Sequence, residues 1–291
     1  MDSLPDELNL DFLPAITGSF STPSRQNPTV EMVEAAYRHH KIHARYLNCE
    51  VLPADLENAI KGAKAMQWLG FNCSIPHKIN VMRYLDGLGT AASLIGAVNC
   101  VVNRNGILIG ENTDGAGFLI SLQHVTTLQN KEFVLYGAGG AARAIAVEIA
   151  LAGARTIHIV NRERSRGEEL VKLINDKTSA TAIFHDWHSQ HKVPESADVV
   201  INATSVGFYP DTDAMINIDT DTLLPSMIVA DVIPNPPHTA LLRAAEQRGC
   251  KTLDGLGMLV YQGVAGIKHW TGKDVDPSIM RKTLERIFNV Q

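Results

Sequence analysis

Residues 133–160 read FVLYGAGGAARAIAVEIALAGARTIHIV. An apolar run enters a glycine turn, an alanine-rich helical pattern leaves it, and a second apolar run, TIHIV at 156–160, follows at the distance of a βαβ unit. In such a unit the N–H groups and dipole of the helix N-terminus face a pyrophosphate. Gly137 makes the turn, Gly139 allows close approach, and Ala138, Gly140 and Ala141 complete the cradle. Dinucleotide binding is therefore expected. Further along, RSRGEELVKLIND and HTALLRAAEQRG read as helices among the apolar strands ATAIF, ADVVINAT and SMIVADVI. Strands this uniformly apolar suit a parallel sheet covered on both faces, so residues 117–252 are assigned to a Rossmann-type nucleotide-binding domain.

Upstream, a buried strand is expected at 13–17 (LPAIT), a polar turn over Gly18–Pro28 and a helix over about Thr29–His40. The strand ARYLNCEV, a helix opened by Pro53 and the strand WLGFNCSI follow. Short links between alternating strands and helices imply right-handed crossovers and a mainly parallel sheet. Helical segments over about 79–94 then lead to AVNCVVN and GILIGEN, a hairpin turning at Arg104–Gly106. Asp114 starts a helix that runs into the nucleotide-binding strand and reads as a hinge. After Asp254, a glycine-rich turn GLGM and helices ending near Trp270 and Phe288 are expected to pack back on the first lobe. The chain is thus α/β and two-domain: residues 1–116 with 253–291 form an N-terminal α/β substrate domain with a mainly parallel sheet, joined to the Rossmann domain.

A length of 291 residues suits two modest cores, and 45% hydrophobic and 20% charged residues with a net charge of −5 are ordinary for a soluble enzyme. No basic stripe points to nucleic acid and no apolar run reaches the length of a membrane span. The opening MDSLPDELNLDFLPAITG has no secretory pattern, and Cys49, Cys73, Cys100 and Cys250 form no C-x-x-C pair, which fits reduced thiols of a cytoplasmic protein. His185, His188 and His191 (HDWHSQH) are joined by no cysteine or second motif, so a solvated loop is expected there and no metal.

Chemistry is concentrated in residues 71–118, where Lys78, Asn99 and Asp114 each close a short polar turn that is expected to follow a strand-like run. Strand ends let side chains converge on a cleft while the sheet holds them rigid, and a cleft between two lobes is a favoured ligand site.

The ordered series NCSIPHK, IGAVNCVV, GENTDGAGF, GAGGAAR, NRERSR, NATSVG and DGLGMLVYQG resembles the shikimate/quinate dehydrogenase family over almost the whole chain. The resemblance implies hydride transfer between a nicotinamide cofactor and a cyclic polyol carboxylate, with Lys78 and Asp114 as the catalytic pair and Ser74, Asn99 and Gln262 on ring hydroxyls. A lysine held beside an aspartate can relay the hydroxyl proton as hydride leaves. Thr204, Gly255 and Met258 lie in the motifs that border the cofactor. The turn Asn161, Arg162, Glu163, Arg164, Ser165, Arg166 is rich in arginine, so NADP is expected, with NAD the alternative because Glu163 replaces a small hydroxyl residue of the family's pattern.

Two departures touch the carboxylate end of the substrate. Where the family has H-S-x-S-P, this chain has PSRQNP, keeping Ser24 and placing Asn27 before the proline; Pro234 stands where a tyrosine is usual. Either Ser24, Asn27 and backbone N–H groups rebuild the pocket, or it is remodelled, with Arg25 as a charged grip or with a polyol lacking a carboxylate. The expected reaction is NADP(H)-linked interconversion of shikimate and 3-dehydroshikimate. Alternatives are quinate or another cyclic polyol, and a nucleotide-sensing regulator, which would not need Lys78, Asp114 and Gln262. A monomer or homodimer is expected.

Overall fold

The computed structural model describes residues 12–289, so most of the acidic opening lies outside the described residues. The chain forms β1 (Ala15–Ser21), α1 (Thr29–His39), β2 (Ala44–Glu50), α2 (Leu56–Ala65), β3 (Gly70–Cys73), β4 (Gly87–Leu88), α3 (Thr90–Ile95), β5 (Cys100–Arg104) and β6 (Ile107–Glu111). These strands make one sheet in the order β2-β1-β3-β5-β6-β4. Pairings β1–β2, β1–β3 and β4–β6 are parallel, while β5 runs antiparallel to both its neighbours, β3 and its hairpin partner β6. The first strand starts later and runs further than LPAIT suggests: Ser19 and Ser21 continue it because their partners Asn48 and Glu50 on β2 keep the ladder paired.

Next come α4 (Asp114–Gln123), β7 (Glu132–Tyr136), α5 (Gly140–Leu151), β8 (Thr156–Asn161), α6 (Arg164–Lys177), β9 (Thr181–Asp186), β10 (Val199–Asn202), β11 (Ile228–Asp231), α7 (Ala240–Gln247) and β12 (Lys251–Leu253). The second sheet, β12-β11-β10-β7-β8-β9, has only parallel pairings. Its order reverses at β7, the switch point where α/β sheets open a crevice at their carboxyl ends. The short strand β12 escapes a sequence reading because three residues carry no period.

Finally α8 (Gly255–Thr271) and α9 (Pro277–Ile287) return to the first sheet. Leu256, Val260, Ile267, Trp270, Met280 and Leu284 of these helices share a core with Met32, Tyr37, Tyr46 and Val102. The GLGM segment is the first turn of α8 rather than a loop: Asp254 Oδ1 accepts from the N–H groups of Leu256 and Gly257, and this cap starts the helix at once.

The histidine cluster also departs from expectation. His185 belongs to β9 and its Nε2 lies 2.8 Å from His158 Nδ1; His191 Nδ1 lies 2.8 Å from the hydroxyl of buried Tyr136. Only His188 stays exposed. Partners from distant strands, invisible to local spacing, fold the other two inward. Burial, with His185 and His158 close by, pushes His191 down to about 4. A histidine held neutral by the fold stabilises it above the unfolded value near 6.5, and that contribution is lost as pH falls from there towards the folded value. His191→Asn should therefore show a smaller drop in Tm between about pH 7 and 5 than the wild type, read by thermal melts; an equal drop would remove His191 from the acid response.

Candidate active site

Cys73 ends β3, and the chain turns through Ser74, Ile75, Pro76 and His77 to Lys78. Three bonds fix this turn: Ser74 N–H to Phe20 O at 3.1 Å, Thr22 N–H to Ile75 O at 3.1 Å, and His77 Nε2 against Val51 O at 2.8 Å. The ends of β1, β2 and β3 thereby become one rim.

Asn99 enters β5 rather than leaving a strand, and because β5 runs antiparallel to β3 its first residue reaches the same edge. Its amide is oriented by donors and acceptors together. Oδ1 accepts from Thr113 N–H at 2.6 Å, while Nδ2 donates to Thr113 Oγ1 at 3.0 Å and to Asp114 Oδ1 at 2.8 Å. The other Asp114 oxygen, Oδ2, accepts from Lys78 Nζ at 2.6 Å. The lysine and aspartate side chains are 29% and 14% exposed, so the pair is shielded yet reachable from the cleft. Thr113, which sequence reading passed over, fixes Asn99 and is nearly fully buried. Burial pushes the neighbouring Cys73 thiol up to about 12, which removes it as a nucleophile.

Ser74 is half-buried at the rim. Gln262 is buried on α8, which crosses α4 so closely that a Cβ built on Gly117 would stand 2.6 Å from Gln262 N and 2.8 Å from Met258 O. Gln262 and Met258 thus sit against the helix that Asp114 begins.

From Lys78 a cleft of about 510 Å³ runs to the glycine turn, lined among others by Ile75, Gly96, Ala138, Gly139, Gly140, Arg143 and Arg166. Gly137 has φ +108, which only glycine adopts without strain, and Thr204 packs against it from the end of β10. A Cβ on Gly139 or Gly140 would meet nothing, so the space above the N-terminus of α5 is open, and the residues there, with Ala141 in the first turn, fit a dinucleotide pyrophosphate. Gly255 is pressed on the backbone of Ile233 at the entry of α8.

At the end of β8 the arginines part company. Arg164 pairs with Glu168 and Asp186 and lies over the Phe184 ring, away from the cleft. Arg166 Nε is 2.9 Å from Glu163 Oε2, so the acid that breaks the pattern is neutralised by its own helix. Asn161 Nδ2 donates to Glu163 O at 2.8 Å and shapes the turn, and Arg162 is exposed.

In the loop after β1, outside the lining of this cleft, Ser24 is buried, but both its hydroxyl and its N–H are taken by Glu50. Asn27 Nδ2 is 3.3 Å from Ser19 Oγ, and Asn48 Nδ2 donates to Asn27 O at 2.9 Å. Arg25 is exposed and its charge faces Glu50. Pro234 is half-buried in the segment after β11. Glu50 was missed in the sequence because an acid at a strand end reads as solvated. Its register with Ser21, at the close of parallel strands, appears only in the fold.

Comparison with known proteins agrees with this arrangement. Family models match residues 20–101 (shikimate dehydrogenase substrate binding domain), 120–236 (shikimate / quinate 5-dehydrogenase) and 255–285 (shikimate 5'-dehydrogenase C-terminal domain). The NADP(+) shikimate dehydrogenase of Desulforamulus reducens is 39% identical over 275 residues, 93% of this chain and 94% of that protein. The crystal structure of shikimate 5-dehydrogenase from Listeria monocytogenes, in complex with shikimate and NAD, has a TM-score of 0.88 at 35% identity, covering 93% of this chain and 96% of that one. The ligand-free 5-ketofructose reductase of Gluconobacter sp. strain CHM43 is nearer, with a TM-score of 0.93 and 55% identity over 95% of this chain and all of that one. With a substrate-side sheet, a nucleotide-side sheet and the Lys78–Asn99–Asp114 cluster between them, the chain belongs to the shikimate dehydrogenase family.

Proposed function

We propose that the protein is an NADP(H)-dependent oxidoreductase that interconverts a ring secondary alcohol and its ketone on a cyclic polyol, as shikimate dehydrogenase does with shikimate. The observation that carries this reading is the bond from Lys78 Nζ to Asp114 Oδ2, at 2.6 Å, on the wall of the cleft that continues to the glycine turn. The bound nicotinamide supplies or accepts the hydride. Lys78 takes the hydroxyl proton in oxidation and returns it in reduction, and Asp114, held by Asn99, keeps the lysine in place. Ser74, Asn99 and Gln262 bind ring hydroxyls, with Ser24 and Asn27 at the far end of the ligand.

Gly137, Ala138, Gly139, Gly140 and Ala141 hold the pyrophosphate. Asn161, Arg162 and Arg166 hold the adenosine phosphate beside Glu163, while Thr204, Gly255 and Met258 border the nicotinamide side. Residues 1–116 with 253–291 act as the substrate lobe and 117–252 as the nucleotide lobe, closing about Asp114 and the turn before Asp254. Among the described residues no helix is long and apolar enough to cross a membrane. The four free cysteines suit the cytoplasm, and a monomer or homodimer is the proposed state.

A second substrate reading rests on Glu50, which fills the donors of Ser24, and on the 5-ketofructose reductase at 55% identity: a keto sugar without a carboxylate. Initial rates followed by nicotinamide absorbance, with shikimate, quinate, 3-dehydroshikimate and 5-ketofructose against NADP(H) and NAD(H), decide between them. Absence of turnover with every one of these substrates would remove the enzyme reading. In the same assay Arg162→Ala should raise KM for NADP(H) about tenfold and leave NAD(H) unchanged, since an arginine–phosphate contact is lost only with the former. Equal loss for both cofactors would count against a phosphate role.

A further inference from the structure

Strands β1 and β2 end together, with Ser21 opposite Glu50. The loop that follows β1 folds over these ends, and one carboxylate holds it. Glu50 Oε1 accepts from Thr22 Oγ1 at 2.5 Å, and Oε2 accepts from Ser24 N–H at 2.7 Å and Ser24 Oγ at 2.8 Å. These hydrogen bonds, with the Arg25 charge nearby, hold the Glu50 carboxyl below its usual range, so it is an anion at neutral pH. A hydroxyl and a backbone N–H converging on one point make an anion site, and here the chain fills that site with its own carboxylate.

The location matters as much as the contact. Glu50 closes β2, Ser74 and Lys78 follow β3, and β1 lies between. Two strand spacings are about 10 Å, the reach of a six-membered ring with its oxygens hydrogen-bonded at both ends. Beside Glu50, the neutral amide and hydroxyl groups of Asn27, Ser19 and Asn48 bond one another, Ser19 Oγ donating to Asn48 Oδ1 at 2.9 Å and Asn48 Nδ2 to Asn27 O at 2.9 Å.

We infer that Glu50 is a specificity-determining residue: by occupying the donors of Ser24 and charging that end of the pocket, it rejects anionic ring substrates and leaves the site to uncharged polyol ketones. The inference rests on the reaction proposed above. Like charges brought together at an interface are discriminated against, and removal of one charge reads as a gain for the anion.

The test uses the full chain as wild type, Glu50→Gln and Glu50→Ala, with NADPH and either 5-ketofructose or 3-dehydroshikimate, and titration calorimetry with shikimate on the enzyme loaded with NADPH, a pair that cannot exchange hydride. Glu50→Gln should lower the ratio of kcat/KM for 5-ketofructose over 3-dehydroshikimate by on the order of tenfold, through KM for the anion with kcat kept, and tighten shikimate binding by a similar factor. Glu50→Ala, which frees Ser24 altogether, should go at least as far. An unchanged shikimate Kd in both variants, melting like the wild type, overturns the inference, as does a wild type equally efficient on both ketones. Because calorimetry reads the charge without turnover, a protein that reduces no ring ketone would refute the proposed reaction while Glu50 is still judged by its effect on shikimate binding.

Discussion

Lys78→Ala is expected to lower kcat by about 10²–10⁴-fold, the worth of a positioned proton carrier, with the NADPH Kd unchanged. The loss comes from two linked changes. The group that receives the hydroxyl proton disappears, and Asp114, whose Oδ2 sits 2.6 Å from Lys78 Nζ, keeps only its bond to Asn99. Asp114→Asn should lose a comparable factor, and the double variant should be little worse than either single one, because residues acting as a unit are not additive. Steady-state rates with the best ring substrate and fluorescence titration of NADPH check both parts. A regulator that senses nucleotide would keep its cofactor response in all three variants, and no turnover would be lost because none would exist.

Gly117→Val should be strongly damaging although it lies away from the reacting groups. The Cβ position meets backbone atoms of α8, at Gln262 N and Met258 O, and backbone cannot swing aside as a side chain can. The helices must separate, at a cost of about 1–3 kcal/mol or more for overpacking. For a chain of this size that is a fall in Tm of several degrees, on the order of 2–4 °C per kcal/mol. The separated helices carry Asp114 and Gln262, so KM for the ring substrate should rise in the same variant even where it stays folded. A Tm loss without a change in KM would show that the crossing of α4 and α8 does not set the site.

What could be read from the sequence was what is local. The glycine turn at 137–141, the helix start at Asp114 and the strand ends around Lys78 are written in consecutive residues, and the structure places them as expected. Relations between distant segments were not legible. Glu50 and Ser24 stand 26 positions apart, and nothing local distinguishes a carboxylate that binds a loop from one that faces water. Three arginines on one turn looked equivalent, yet Phe184 and Asp186, two strands' worth of sequence later, draw Arg164 away and leave Arg166 at the cleft and Arg162 exposed. The antiparallel run of β5 put Asn99 at the rim from the opposite direction to the one its motif suggested.

The return of α8 and α9 to the first sheet bears on how the chain is made. On the ribosome β1 to β6 emerge early, but the apolar cover for Met32, Tyr37 and Tyr46 is supplied by Leu256, Val260, Ile267 and Trp270. At about 5–20 residues per second, the roughly 140 residues between Asp114 and Gly255 take on the order of 10 s to synthesise. For that interval the first lobe waits with a sticky face open, while the nucleotide-side sheet, continuous in sequence, can finish beside it. The lobe translated first is the last to close, and chaperone demand during expression should concentrate on that window.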